Sequence, residues 1–225
     1  MDDLRFRALK GLARFQIALA LIIFLPAWSL TYWQGLVYWL LFGAACLAIT
    51  LYFLRHDPSL VERRMRAGPG AEIEPRQRAI MWLASVALVA LYLVSALDCG
   101  LGWSRVPAVV SLIADLFVAL GFYGIFVTFR ENAYAAAIVT VERNQPVVAT
   151  GPYALVRHPM YAAALPLFLA TPPALGSWFG LIPAAIVVAA IVWRLTDEET
   201  HLMRDLAGYR DYRDKVRARL VPGVW

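Results

Sequence analysis

The stretch Phe15–Leu54, FQIALALIIFLPAWSLTYWQGLVYWLLFGAACLAITLYFL, decides the fold class. It divides into two apolar blocks, roughly 15–33 and 36–54, with Gln34-Gly35 read as a tight turn between them. Each block suffices for a helix to cross a hydrocarbon core of about 30 Å at about 1.5 Å per residue. Similar blocks recur at roughly 79–97 and 106–129. A shorter block at 159–170 follows and, beyond a Pro172-Pro173 break, another at 175–193. The last two read as a helical hairpin with kinks at Pro166 and Pro183.

The expectation is therefore an all-α, polytopic membrane protein. It has about six membrane segments, the last two forming the hairpin, and a short cytoplasmic helix near the C-terminus. Composition agrees: 61% of the 225 residues are hydrophobic and 16% charged, against about a quarter charged in soluble domains. The chain reads as one membrane domain, with four spans in residues 1–130. The basic start, MDDLRFRALKGLARF, leads into an apolar run without a small-x-small cleavage site, so it is expected to be a retained anchor. In the polar connection 130–157, residues 137–141 and 147–148 have weak strand character.

With the N-terminus inside, 20 of the 21 Lys and Arg residues fall on inside segments, Arg105 being the exception. The positive-inside rule then places both termini in the cytoplasm, and the short inside loops and Ala/Arg-rich composition suggest a bacterial inner membrane. The net charge of +5 is assigned to this topology and to anionic lipid head groups, not to nucleic acid. Cys46 and Cys99 lie far apart in or beside apolar segments, and no Cys/His spacing suits a metal. The expected partners are thus the lipid bilayer and a hydrophobic, lipid-like substrate. Asp115, near the middle of the fourth span, is an ionisable group where burial is expensive.

Three polar clusters sit on the inside face. The first is Gly151-Pro-Tyr-Ala-Leu-Val-Arg-His-Pro-Met-Tyr161. Gly-Pro opens a turn, and Pro159 pushes His158 out of helical geometry while itself opening a helix. Arg157 and His158 then stand at a helix N-terminus, a natural anion site. The bland alternative is a lipid anchor and a helix cap. In the second cluster, Arg194, Glu198, His201 and Asp205 share one helix face. Taken alone, an ordinary amphipathic helix with Arg–Glu pairing is the better explanation. In the third, Gly208-Tyr209-Arg210-Asp211-Tyr212 followed by 219–225 suits interfacial anchoring.

Taken together, Gly-x-Tyr-x-x-x-Arg-His-Pro-x-Tyr, a hairpin, Arg-x-x-x-Glu-Glu and Gly-Tyr-x-x-Tyr resemble the isoprenylcysteine carboxyl methyltransferase family over about residues 145–225. The related phospholipid N-methyltransferases share part of the pattern. The resemblance implies a membrane enzyme dependent on S-adenosylmethionine, with cofactor-binding and catalytic functions in residues 131–225. Carried over by position, Val147, Val148, Tyr153, His158, Pro159, Met160 and Tyr161 line the cofactor pocket. Glu198 binds the cofactor, with Glu199 a second candidate, and Arg194 faces the substrate beside Arg157 as a catalytic residue. An acceptor carboxylate suits Arg194, since guanidinium binds it in a two-pronged fashion; an amine or thiol acceptor would need a base. Two other readings compete. One is an NADPH-dependent membrane reductase of the sterol-reductase kind, which shares Arg-His-Pro-x-Tyr. The other is a non-catalytic membrane scaffold.

Overall fold

A computed structural model describes residues 2–29, 31–65, 68–134 and 145–225, and all regular structure among them is helical. Helix α1 spans Asp2–Phe24, α2 Trp33–His56, α3 Pro58–Met65, α4 Pro75–Leu101, α5 Ala108–Glu131, α6 Pro159–Ala174, α7 Leu181–Asp205 and α8 Tyr209–Lys215. Three of them, α2, α4 and α5, are long and apolar enough to cross a membrane. Helix α6 has 16 residues, and the 25 of α7 end in a charged third. Of the six expected segments, three thus have the length and apolarity of a span among the described residues. The strand character expected at 147–148 is absent, and 137–141 lies outside the described residues.

Several boundaries differ from the sequence reading for local reasons. Helix α1 starts in the charged N-terminal stretch and stops at Phe24, short of Pro26. The connection to α2 is the segment 25–32, in which Trp28 takes φ 44°, a region that side-chain-bearing residues rarely enter. Gln34-Gly35 is consequently the first turn of α2, not the connection. A Cβ at Gly35 would come 2.6 Å from the ring of Tyr32, whose buried hydroxyl donates to the Leu175 carbonyl at 2.7 Å. Pro172 and Pro173 do not break α6 but form its last turn. Gly176, at φ 74°, begins the turn that delays α7 until Leu181.

The helices alternate in direction, so their ends gather into two polar layers. In one, Asp98 at the end of α4 is fully buried. It accepts from the Ser104 amide at 2.7 Å, the Ser104 hydroxyl at 2.6 Å and the Ser177 hydroxyl at 2.6 Å. This knot ties α4 to the α6–α7 turn. In the other layer, Asp57 Oδ1 caps α3 through the Leu60 amide at 3.0 Å, with Pro58 at the first helical position. Leu60 and Val61 pack there against Ala8, Phe53 and Phe129. The start of α1, α3, the start of α4, the end of α5, the start of α6 and the end of α7 meet in this layer.

Small residues bring α5 and α6 together. A Cβ at Gly121 would stand 2.7 Å from Leu167 Cβ, and one at Gly124 2.7 Å from Ala163 Cβ. Without a hydrophobic drive between helices in lipid, such close approach supplies the packing. It also fixes the position of Pro159–Tyr161 at the start of α6. Asp115 is buried on α5, and neither of its carboxyl oxygens nor the Ser111 hydroxyl one turn earlier has a hydrogen-bond partner among the described residues.

Candidate active site

The Gly151-Pro152 turn shapes the first wall. Gly151 takes φ 56°, and a Cβ there would lie 2.8 Å from the Glu131 carboxyl carbon, so glycine suits the position on both counts. A short 3₁₀ turn, Gly151–Ala154, follows. His158 precedes the helix at φ −123°, ψ 65°, with Pro159 at the first turn, outside the helical region that a following proline disfavours. The backbone then pairs with the C-terminal tail. The Arg157 amide donates to the Ala218 carbonyl and the His158 amide to the Arg219 carbonyl, both at 3.0 Å. The Tyr212 hydroxyl donates to the Tyr153 carbonyl at 2.7 Å.

Behind this wall, Glu199 is the hub of an ion cluster. Its Oε1 accepts from Arg157 Nε at 2.6 Å and lies 3.2 Å from His158 Nε2, while its Oε2 accepts from Arg219 Nε at 2.8 Å. Burial pushes the Glu199 carboxyl up, but hydrogen bonds from His158, Arg157 and Arg219 outweigh it and hold the group well below the usual carboxylate range. Arg157 is itself buried, and its Nη1 donates to the carbonyls of Val216 at 2.9 Å and Arg217 at 2.6 Å. Arg157 and Glu199 therefore clasp the tail to the Arg-His-Pro turn.

Glu198, one residue away, faces elsewhere because adjacent helical residues point about 100° apart. Its Oε2 accepts from the Tyr161 hydroxyl at 2.7 Å. The same hydroxyl accepts from Arg194 Nε at 3.1 Å, joining carboxylate, phenol and guanidinium in a line. Arg194 is held from the other side by residues leading into α4. Its Nη2 lies 2.7 Å from Glu72 Oε1, and its Nη1 donates to Gln77 Oε1 at 3.0 Å. Gln77, wholly buried, passes a further hydrogen bond of 2.7 Å to Asp197. The polar face of α7 thus docks on α4, and His201 turns back to the Asp197 carbonyl at 3.0 Å, away from the cavity.

These walls enclose a cavity of about 450 Å³, within the range of small-molecule and cofactor sites. It has two lobes. One is polar, bounded by Tyr153, His158, Tyr161, Arg194 and Glu198. The other is apolar and runs between α4, α6 and α7 past Met81, Leu88, Phe168 and Val187. Of the candidates from the sequence, Val147, Val148, Tyr153, Arg157, His158, Pro159, Met160, Tyr161, Arg194 and Glu198 all border the cavity. Glu199 does not, and the Nε and Nη1 groups of Arg157 are taken up by Glu199 and the tail, so the structure gives this pair to the clasp. Burial pushes the Tyr153 phenol up to about 12, so it stays protonated at neutral pH and accepts from Asn132 Nδ2 at 3.0 Å.

Residues not among the site candidates from the sequence also border the cavity: Arg64, Asn132, and the Tyr209 and Tyr212 read there as interfacial anchors, with Glu72 and Gln77 supporting from behind. Tyr209 is buried, and its hydroxyl has no partner among the described residues. The Gly-Tyr-x-x-Tyr pattern was the available signal for Tyr209 and Tyr212. Arg64, Glu72 and Gln77 had none beyond lying in a polar segment.

The segment that builds most of these walls can be compared with known families. Residues 109–208 match the phospholipid methyltransferase family. That family is related to the isoprenylcysteine carboxyl methyltransferases, so the resemblance read from the motifs holds at this level. The phospholipid methyltransferase match runs from the first turn of α5 through the Arg-His-Pro turn, α6 and α7 to Gly208. It leaves α3, α4 and Tyr209 outside. It supports a membrane methyltransferase in general, of a family that generally uses S-adenosylmethionine, and lends nothing to the reductase or scaffold readings. No curated protein matches the chain. Among the described residues no group of three or more His, Cys, Asp or Glu side chains could hold a metal ion.

Proposed function

We propose that the chain is an S-adenosylmethionine-dependent methyltransferase that acts at the membrane on a hydrophobic, lipid-like acceptor, a carboxylate before an amine or thiol. The observation that carries this reading is one cavity with a polar lobe built on Glu198–Tyr161–Arg194 and an apolar lobe opening between α4, α6 and α7. The residues fit the cofactor chemically. Glu198 keeps acceptor capacity for an ammonium group beyond its bond to Tyr161. The buried Tyr209 hydroxyl, without a partner among the described residues, offers a hydrogen bond to a polar ligand. Held by Glu198 and the Tyr209 hydroxyl, S-adenosylmethionine would supply an electrophilic methyl carbon on a positively charged sulfur, which an acceptor carboxylate would take up as its methyl ester, with S-adenosylhomocysteine as the other product.

The chain's own part is positioning and exclusion of water, which such an in-line displacement needs more than a strong acid or base. Arg194 holds its orientation through Glu72 and Gln77 and presents its charge beside Tyr161. A carboxylate acceptor arrives already deprotonated. An amine or thiol would require His158 or Glu198 to take a proton. On this reading both termini and the site face the cytoplasm, where the basic residues collect, and a bacterial inner membrane fits the composition.

The test is a titration of the purified chain in phosphatidylcholine nanodiscs with S-adenosylhomocysteine and, separately, NADPH. Saturable binding of the first, at least about tenfold weaker in E198Q, as expected for a lost charge-assisted contact, is the anticipated result. No binding of S-adenosylhomocysteine by the wild-type chain would end the proposal.

A further inference from the structure

Arg157 borders two openings. One is the cavity; the other is a surface depression that it shares with Arg213, Asp214 and Arg217. None of those three belongs to the cavity wall. The tail brings the four side chains together. Tyr212 is tied through its hydroxyl to the Tyr153 carbonyl, and its own carbonyl accepts from the Val216 amide at 2.9 Å as α8 ends. Arg157 Nη1 then donates to both the Val216 and the Arg217 carbonyls. Arg213, in the last turn of α8, and Arg217, just beyond it, are thereby gathered around a third guanidinium.

These groups have donors left over. Arg157 is 7% exposed. Its Nε and Nη1 are engaged, but its Nη2 has no hydrogen-bond partner among the described residues, and a buried polar group calls for one. The exposed Arg217 side chain makes no hydrogen bond or ion pair among the described residues. Arg213 meets Asp214 at 3.0 Å, an exposed pair of the kind that contributes little. The rim therefore carries three arginines against one aspartate. Behind Arg157, Glu199 and the Arg219 that shares it cancel, and His158, 3.2 Å from Glu199, can only add positive charge. Arg210, Asp211 and Lys215 on α8 add one more positive charge. Guanidinium groups converging with unused donors suit a phosphate oxyanion, which accepts several hydrogen bonds at once.

The neighbouring surface points to the source of that phosphate. Beyond Arg217 the chain turns apolar: Val221, Val224 and Trp225 are exposed. Leu220 is buried in a cluster with Tyr161, Ala164, Ile191 and Leu195, which seats this loop against the apolar ends of α6 and α7. Basic groups beside an exposed apolar loop match a lipid with an anionic head group.

We propose that Arg157, Arg213 and Arg217 form a binding site for a phosphate group, carried by an anionic phospholipid that lies beside the loop 219–225. The site stands next to the cofactor cavity and does not rest on the methyltransferase reading. A phosphate bound there bridges the tail to Arg157 and braces the Arg-His-Pro turn.

The probes are dioctanoyl phosphatidylglycerol, dioctanoylglycerol, which lacks the phosphate, and glycerol 3-phosphate, which lacks the chains. Binding to the full chain in dodecylmaltoside is measured by titration calorimetry without cofactor. Phosphatidylglycerol should bind at least about tenfold more tightly than dioctanoylglycerol, and R217Q should weaken it by about tenfold, as for a lost charge-assisted contact. D214N should tighten it several-fold, because it frees Arg213 and removes a like charge from the rim; misfolding cannot produce a gain of affinity. R14Q, which removes an exposed arginine on α1, should leave binding unchanged. Weaker binding of glycerol 3-phosphate supports the lipid source. Equal binding supports the phosphate site but assigns it to a free phosphate, with the loop taking no part. Equal affinity for phosphatidylglycerol and dioctanoylglycerol, unchanged binding in R217Q, the same loss in R14Q, or no gain in D214N overturns the inference.

Discussion

Replacing Glu199 with alanine should damage the fold more than the cofactor chemistry, and the size of the effect follows from its contacts. Glu199 meets Arg157 at 2.6 Å and Arg219 at 2.8 Å. The Arg157 side chain is 6% exposed and that of Arg219 34%, so the Arg219 contact is discounted for solvent screening. Removing one partner of a buried pair strands the other charge and typically destabilises by about 3–5 kcal/mol. At about 2–4 °C per kcal/mol for a chain of this size, the melting temperature of E199A should fall by roughly 6–20 °C. E199Q, which keeps an acceptor oxygen for Arg157, should lose less. The assay is thermal unfolding in nanodiscs, followed by S-adenosylhomocysteine binding measured well below the transition. A melting temperature within about 2 °C of wild type for E199A, less than the shift expected from 1 kcal/mol, would refute the assignment of Glu199 to the clasp. Intact stability with lost cofactor affinity would return it to the pocket. The pH dependence has a definite sign. The folded-state pKa of Glu199 is depressed below the ordinary 4.5, so its stabilisation is fully present above that value. Stability should decline as pH falls below about 4.5, and E199Q should flatten that decline.

Further outcomes follow from the same geometry. Y209F should leave stability unchanged or slightly raised, because the lost hydroxyl has no partner among the described residues, yet weaken S-adenosylhomocysteine binding several-fold; calorimetric unfolding paired with a binding isotherm checks both. Q77L should lower the melting temperature, because it strips buried partners from Arg194 and Asp197 at about 1–3 kcal/mol each. G121L should destabilise by about 1–3 kcal/mol by overpacking the α5–α6 contact, read out by denaturant or thermal unfolding. D115L should raise the melting temperature, since it removes a buried carboxyl without a hydrogen-bond partner among the described residues.

Local chemistry made much of this protein legible before any coordinates. Apolar block length marked α2, α4 and α5, because a helix in lipid must satisfy its backbone internally and run about 20 residues. Pro159 announced the start of α6, since proline acts through the backbone of neighbouring residues. Ten of the eleven candidate site residues came to border one cavity because they lie on two short motifs whose turns place them within a few residues of each other. Prolines and glycines misled where their meaning depends on position. Pro172-Pro173 reads as a break but closes the last turn of α6. Gln34-Gly35 reads as a turn but opens α2, and only the ring of Tyr32 explains the glycine.

What the sequence determined alone is the helical class, the three blocks with the length and apolarity of spans, and the residue types that border the cavity. What tertiary structure decided is which of two adjacent glutamates faces the cavity. It also decided that Arg157 clasps the tail, and that Arg64, Glu72 and Gln77, more than eighty residues before the matching motif partners, complete the polar lobe. The reason is that helix periodicity and turn chemistry act over a few residues. That Arg64 on α3 and Arg194 on α7 border one cavity depends on how the helices pack, a relation between distant surfaces that no local pattern encodes.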